Sequence, residues 1–348
     1  MDLLKETVKK IGLLDHRTME VAKERIDALV KPPGSLGRLE ELAIQLSGIT
    51  GELYPNVDKK VVIVMAADHG VYHEGVAPNP QIITAIQTPN FVKGVTGVCA
   101  FAKQTKSDVV VVDIGIAVDV DYSGVINKKI RYGTDNMAKG PAMTREEAVK
   151  SLEIGIEIAT EEIKKGKNLV ATGEMGISNT TASTAIISAI GGLDPMEIVG
   201  VGAGLPVEKL SHKGAVIKRA LEINRPNPQD GVDVLAKVGG FEIGGMAGVM
   251  LAAAANNIPI VVDGVIATAA ALVASKIEPK VKQYLIPSHS SAEKVGKQAL
   301  ELLGLEPLFD LGLRLGEGSG AVLAFNFVEA ATYMVKEMIT LEESGIIL

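Results

Sequence analysis

The segment LGLRLGEGSGA, Leu311 to Ala321, places one carboxylate, Glu317, between Gly316 and Gly318. Glycine on both sides frees the backbone to take φ > 0 and removes the Cβ atoms that would shield it. The flanks are apolar, so an acid here is poorly solvated, and desolvation lifts a carboxylate toward the range in which it works as a general base. The plain alternative is a glutamate capping a helix on a surface turn. A second stretch, GEMGISNTTAST from Gly173 to Thr184, sets small hydroxyls (Ser178, Thr180, Thr181) and glycines where a strand gives way to a helix. Backbone N–H groups at such a place suit a phosphate. The stretch is neither a Walker loop nor a GxGxxG turn, and a helix cap at Ser178 or Asn179 is its structural reading. Lys213, in SHKGA, would add a point charge to that phosphate, although most lysines are simply solvated. His69, in ADHG, is a candidate acid–base group or metal ligand. His73 follows four residues later, but Gly70 stands where HExxH needs its glutamate. The other three histidines are scattered and there is one cysteine, so no metal site is expected. Asp68, Asp113 and Asp263 read as anchors at strand ends, Cys99 as a small buried residue, and GVGAG (Gly200 to Gly204) as close packing.

The elements that must carry these residues follow from the apolar pattern. VVIVMAADHG (Val61 to Gly70), DVVVVDIG (Asp108 to Gly115), NLVATGEMG (Asn168 to Gly176), EIVGVGAG (Glu197 to Gly204) and IPIVVDG (Ile258 to Gly264) are continuous apolar runs ending in polar or glycine-rich tips, and QYLIPSH (Gln283 to His289) is a weaker one. Runs without alternation suit strands buried on both faces of a parallel sheet. Between them lie helical periods, one opened by the capping-box pair Thr144 and Glu147. Near the N-terminus, Met19, Ala22, Ile26 and Leu29 fall at helical spacing after a cap at Asp15, and a second helix begins near Ser35. Strands alternating with helices predict an α/β fold with an open, mainly parallel, Rossmann-like sheet and helices on both faces. Ligands of such sheets bind beyond the carboxyl ends of the strands, where six of these tips converge. Residues 1–50 and 328–348 are expected to form a small helical domain, and 51–327 the catalytic domain.

Composition narrows the class. The 348 residues carry a net charge of −7, which gives no basic footprint for nucleic acid. Hydrophobic residues make up 47%, aromatics only 3% with no Trp, so the core is aliphatic with close approach at 37 glycines. One cysteine excludes a disulfide framework and fits a reducing cytosol. The start, MDLLKETVKK, is unlike a signal peptide. The longest apolar region, Met246 to Ala274, is broken by Asn256, Asn257, Pro259 and Asp263, so it reads as helix, loop, buried strand and helix rather than a membrane span. The expected location is cytoplasmic.

KPPGSLGRLEELA, ADHGV, GEMGISNTTAS, GGFEIGGMAGVMLAAA, IPIVVDGVIATAAAL, SHSSAE and LFDLGLRLGEGSGA, in this order, resemble the nicotinate mononucleotide:5,6-dimethylbenzimidazole phosphoribosyltransferase family over nearly the whole chain. The resemblance implies a Rossmann-like large domain, a small domain from both termini, and a dimer in which the small domain helps close the partner's site. It implies transfer of 5-phosphoribosyl from nicotinate mononucleotide to an aromatic base, with no cofactor and no metal required. Glu317 matches the general base and Glu174 a second acid of the site. Gly176, Ile177, Ser178, Asn179 and Thr180 match the phosphate loop, supported by Lys213 and Ser291. Leu315 and Gly316 border nicotinate and base, and Ala77, Asn79, Gln81 and Met175 fall at base-binding positions.

The sequence departs from the family pattern in places. APNPQ (Ala77 to Gln81) stands for Ser-Ala-Tyr-Pro-Gln, Val201 and Ser290 stand for arginines, and Ser178 and Asp135 for glycines. The first change removes a hydroxyl and an aromatic ring from the expected base pocket. It predicts a relaxed acceptor range that extends to phenols, as in a branch of the family that works as a heterodimer of two related chains, so both a homodimer and a heterodimer with a paralogous chain are open. A transferase using phosphoribosyl pyrophosphate is disfavoured, because Ile114 and Gly264 replace the second acid of its motif. A non-catalytic partner subunit would have lost the base, and Glu317 is kept.

Overall fold

Six strands form one sheet in the computed structural model, which describes residues 2–346. They are β1 (Lys60–Ala67), β2 (Asp108–Gly115), β3 (Val125–Asn127), β4 (Leu169–Met175), β5 (Ile260–Val262) and β6 (Leu285–Pro287). Their order is β3-β2-β1-β4-β5-β6, with every neighbouring pair parallel. The chain starts at the centre, works out to one edge, then crosses back to lay β4 beside β1 and works out to the other edge. The winding therefore reverses between β1 and β4, and the crevice at their carboxyl ends is where such sheets take ligands.

Strand β1 is buried along its whole length. Its period of two sends Val61, Ile63, Met65 and Ala67 into one core and Val62 and Val64 into another. The first core is closed by the helices Arg145–Lys164, Phe241–Ala255 and Val265–Ile277. Glycine sets the distance between two of them: a Cβ on Gly155 would lie 1.9 Å from the carbonyl oxygen of Gly245, and one on Gly248 2.0 Å from that of Leu152. That contact accounts for the glycines inside an apolar helix. The second core joins the sheet to Phe91, Val98 and the long helix Ser319–Glu337, and continues into Ile26, Leu42 and Leu46 of the helices His16–Asp27 and Arg38–Thr50. The two ends of the chain also meet through the backbone, Val30 donating to Ile339 at 2.9 Å and Leu341 to Ala28 at 2.9 Å. The helix Asp2–Lys10 packs elsewhere, on Arg145–Lys164 and Phe241–Ala255.

The caps form as the sequence indicates. Asp15 accepts from the Thr18 N–H, and Thr144 and Glu147 make a reciprocal capping box. Two elements differ. EIVGVGAG is not a strand: Asp194 caps a short helix, Pro195–Ile198, and the chain then turns through Gly202 and Gly204, both at positive φ. A continuous apolar run does not by itself separate strand from helix. Strand β3 is three residues long at an edge, too short to carry a period. Among the described residues no helix is long and apolar enough to cross a membrane.

Candidate active site

At the carboxyl end of β4 the chain presents Glu174, then Gly176, then the helix Asn179–Gly191. Opposite it lies the turn Gly316–Glu317–Gly318, three consecutive residues with φ of +82°, +66° and +92°. The turn presses onto the strand so closely that a Cβ on Gly173 would stand 2.2 Å from the Glu317 carbonyl oxygen. Glu317 is 7% exposed. Its Oε1 accepts from Gln87 Nε2 at 3.1 Å and its Oε2 from the Val98 N–H at 3.3 Å. Both partners come from a separate wall, the helices Ile83–Lys93 and Gly97–Thr105.

Glu174 accepts the Glu317 backbone N–H at 3.1 Å and the Asn179 side-chain amide on its other oxygen. Burial pushes its pKa up to about 8, and the nearby Asp263 and Glu242 carboxyls add to the rise. Asp263, beyond β5, accepts from the N–H groups of Gly318 and Ala321. Burial raises its pKa too, and His289 pulls it back. These groups border a cavity of about 390 Å³, inside the range usual for small-molecule sites. Asn79, Met175, Ser291, Leu315 and Gly316 also line it.

A smaller cavity of about 40 Å³ adjoins the first, and the two share Asn79, Gly176, Ile177, Asn179, Thr180 and Ala203. Lys213 enters it from the helix Leu210–Asn224. Only 1% of Lys213 is exposed, and its Nζ donates to Thr180 Oγ1 at 2.9 Å and to the Gly200 carbonyl at 3.2 Å. Burial lowers its pKa to about 8, against the pull of Glu293. Ser178 sits at the N-cap position with φ +81°, but its hydroxyl makes no cap bond. That hydroxyl is buried without a partner among the described residues, which is costly unless something else fills the role. A buried ammonium, a free hydroxyl and the start of a helix therefore meet in a space the size of a small anion.

Most of the residues singled out in the sequence fall into these cavities; Thr181 lines neither. Ala77 borders the small cavity, beside Ser178 and Lys213, and not the large one. Gln81 borders neither, its amide donating to the His69 carbonyl at 3.0 Å. Of the departures from the family pattern, Val201 lines the small cavity, and Asp135 is held in an ion pair with Arg131 at 2.8 Å. His69 is committed elsewhere: its Nε2 meets Glu242 Oε1 at 2.7 Å, both buried. Burial lowers the imidazole pKa, but Glu242, with Asp68 and Glu174 behind it, more than reverses this, so it stands above the ordinary value. The sequence reading passed over Gln87, Ile83, Glu293 and Arg314, all lining the large cavity. Arg314 carried a signal, lying in the same segment as Glu317, and its guanidinium donates to the Gly202 carbonyl at 3.2 Å. Gln87 carried none.

The chain matches a family model described as phosphoribosyltransferase over residues 11–346. It is 62% identical to a nicotinate-nucleotide–dimethylbenzimidazole phosphoribosyltransferase of Alkaliphilus metalliredigens, covering 99% of both chains. It is 55% identical to one of the same name from Clostridioides difficile, again covering 99% of each. A crystal structure of the enzyme of that name from Thermus thermophilus superposes with a TM-score of 0.91 at 40% identity, over 96% of this chain and all of that one.

Proposed function

The chain belongs to the nicotinate-nucleotide–dimethylbenzimidazole phosphoribosyltransferase family, and from that premise we propose how its two cavities divide the reaction. The phosphate of nicotinate mononucleotide enters the small cavity, against Lys213, the Ser178 hydroxyl and the loop from Gly176 to Thr180. Its ribose and nicotinate, and the incoming 5,6-dimethylbenzimidazole, share the large one, with Ser291 near the nucleotide and Asn79, Met175, Leu315 and Gly316 around the rings. The acceptor nitrogen attacks C1′ of the ribose. The bond from C1′ to the pyridinium nitrogen breaks, and its electron pair returns to the ring, releasing neutral-ring nicotinate. Glu317 takes the acceptor's N–H proton. Attack from the face opposite the leaving group turns the β-linked donor into an α-linked nucleotide, the lower-ligand precursor of cobamides.

The observation that carries this reading is the placing of a carboxylate and an anion cradle in adjoining cavities at the sheet's switch point, with Glu317 held by Gln87 and Val98. Incubating the chain with nicotinate mononucleotide and an equal mixture of dimethylbenzimidazole and p-cresol, with products identified by mass, tests it. The expected product is the α-nucleotide of the benzimidazole. A chain that consumes neither base overturns the reading. The relatives named above support dimethylbenzimidazole as acceptor, and the phenol-specific and paralogous-partner readings gain no support from them.

The working form is a homodimer in which the small helical domain of the termini closes the partner's site. Exposed apolar side chains support this: Leu315, on the rim of the large cavity, is 59% exposed, and Ile86 and Val95, on the wall that holds the Glu317 carboxylate, are 59% and 70% exposed. Sedimentation of a fully active monomer would overturn it. A small phosphorylated donor and a single buried cysteine fit a cytoplasmic enzyme.

A further inference from the structure

The turn bearing Glu317 is held from outside itself. Gly316, Glu317 and Gly318 all lie at positive φ, and the helix that follows, Ser319–Glu337, has no side-chain cap of its own, since Gly318 occupies the N-cap. The cap comes from another strand. Asp263, just past β5 and 5% exposed, accepts from the Gly318 N–H on Oδ2 at 3.3 Å and from the Ala321 N–H on Oδ1 at 3.0 Å. His289, past β6, faces it with Nδ1 3.9 Å from Oδ1, and is itself fixed by Ser288 Oγ at 2.9 Å and by stacking on Phe309. The fit excludes even a methyl group, because a Cβ on Gly320 would lie 2.1 Å from His289 Nδ1 and 3.0 Å from Asp263 Oδ1.

We propose that Asp263 is a positioning residue of this site beside Glu174, a capping carboxylate delivered by β5 that fixes the far side of the turn and so aims Glu317 at the acceptor. This rests on Glu317 being the general base. Asp263 also lines the large cavity, so the competing role is a direct hold on the nucleotide. The two roles differ in what they cost. Displacing a catalytic group by about 1 Å lowers the chemical step by about 10²-fold and leaves nucleotide binding alone. Losing a direct contact weakens binding.

Asp263→Asn keeps the size of the side chain but turns one acceptor into a donor facing an N–H. It is compared with Glu317→Gln and with the double variant, by kcat, KM and calorimetric binding of nicotinate mononucleotide. The expected result is a kcat about 10²-fold lower, nucleotide affinity unchanged, and no further loss when Asp263→Asn is added to Glu317→Gln. Losses that multiply in the double variant, or weakened nucleotide binding with kcat kept, would overturn the proposal. If Glu317→Gln alone keeps the parental rate, it is the base assignment that fails. If Glu317→Gln is impaired and Asp263→Asn is not, only the positioning role fails. Asp263→Glu keeps both acceptors one methylene farther out, and is read against the same outcomes should the Asn variant not accumulate.

Discussion

The backbone N–H of Glu317 donates to Glu174 Oε1 at 3.1 Å, so one acid of the site holds the main chain of the other. The Glu317 carboxylate is left to Gln87 and Val98. The two glutamates therefore have separable effects, and substitution should part them.

Glu317→Gln preserves the turn and the donor site but cannot accept a proton. Loss of a general base costs about 10²–10⁴-fold in rate. Steady-state kcat with saturating acceptor should fall in that range, while calorimetry finds nicotinate mononucleotide bound as tightly as by the parent.

Glu174→Gln bears on stability against pH. The native pKa of about 8 lies above the ordinary 4.5, so the folded state holds this proton more tightly than the unfolded chain does. The stabilisation this proton brings is full below about pH 4.5 and is lost as pH rises from there through 8, at up to about 1.4 kcal/mol per pH unit. Denaturant midpoints of the parent should fall between pH 5 and 8 more steeply than those of Glu174→Gln. Parallel curves would mean that Glu174 is not held protonated.

Lys213 has the opposite sign. Its native pKa of about 8 is below the ordinary 10.5, so the ammonium is lost from the free enzyme as pH rises through 8. A bound phosphate favours the charged form. Affinity for nicotinate mononucleotide should fall above pH 8, and binding there should take up a proton, visible as a calorimetric heat that depends on the buffer. Lys213→Ala should lose both effects and leave binding of free nicotinate unchanged.

Gly173→Ala tests the contact between β4 and the turn. The added Cβ meets the Glu317 carbonyl at 2.2 Å, and backbone on both sides has nowhere to go. Overpacking of this kind costs about 1–3 kcal/mol. The melting temperature should drop modestly and kcat severely, because the displaced group carries the base. A variant with parental kcat would show that the turn tolerates the shift.

Much of this was legible in the chain. The unbroken run of β1 announced a strand buried on both faces, and the bare glycines and apolar flanks around Glu317 announced a poorly solvated acid on a special turn. The 37 glycines announced close approach in an aliphatic core, although which of them bring the helices Arg145–Lys164 and Phe241–Ala255 together did not show. The hidden part is long-range. Nothing in IPIVVDG says that Asp263 reaches an N–H 55 positions on, or that His69 finds Glu242 173 positions away. Those bonds exist because parallel strands bring distant tips to one edge, and only the strand order fixes which tips are neighbours. EIVGVGAG misled for a local reason: Pro195 and Asp194 start a helix, and the glycines then turn the chain.

The shared core of the two chain ends sets an order of events in synthesis. Ile26, Leu42 and Leu46 leave the ribosome nearly 300 residues ahead of Phe325, Val328 and Ala331, with which they share a core. Until then the leading helices carry an uncovered apolar face, the kind of surface that draws chaperones or aggregates. Glu317 is set just ahead of those closing residues. All six strands precede Glu317 in the chain, so the residues of the sheet are made before the base, and the site is whole only once the helix Ser319–Glu337 docks.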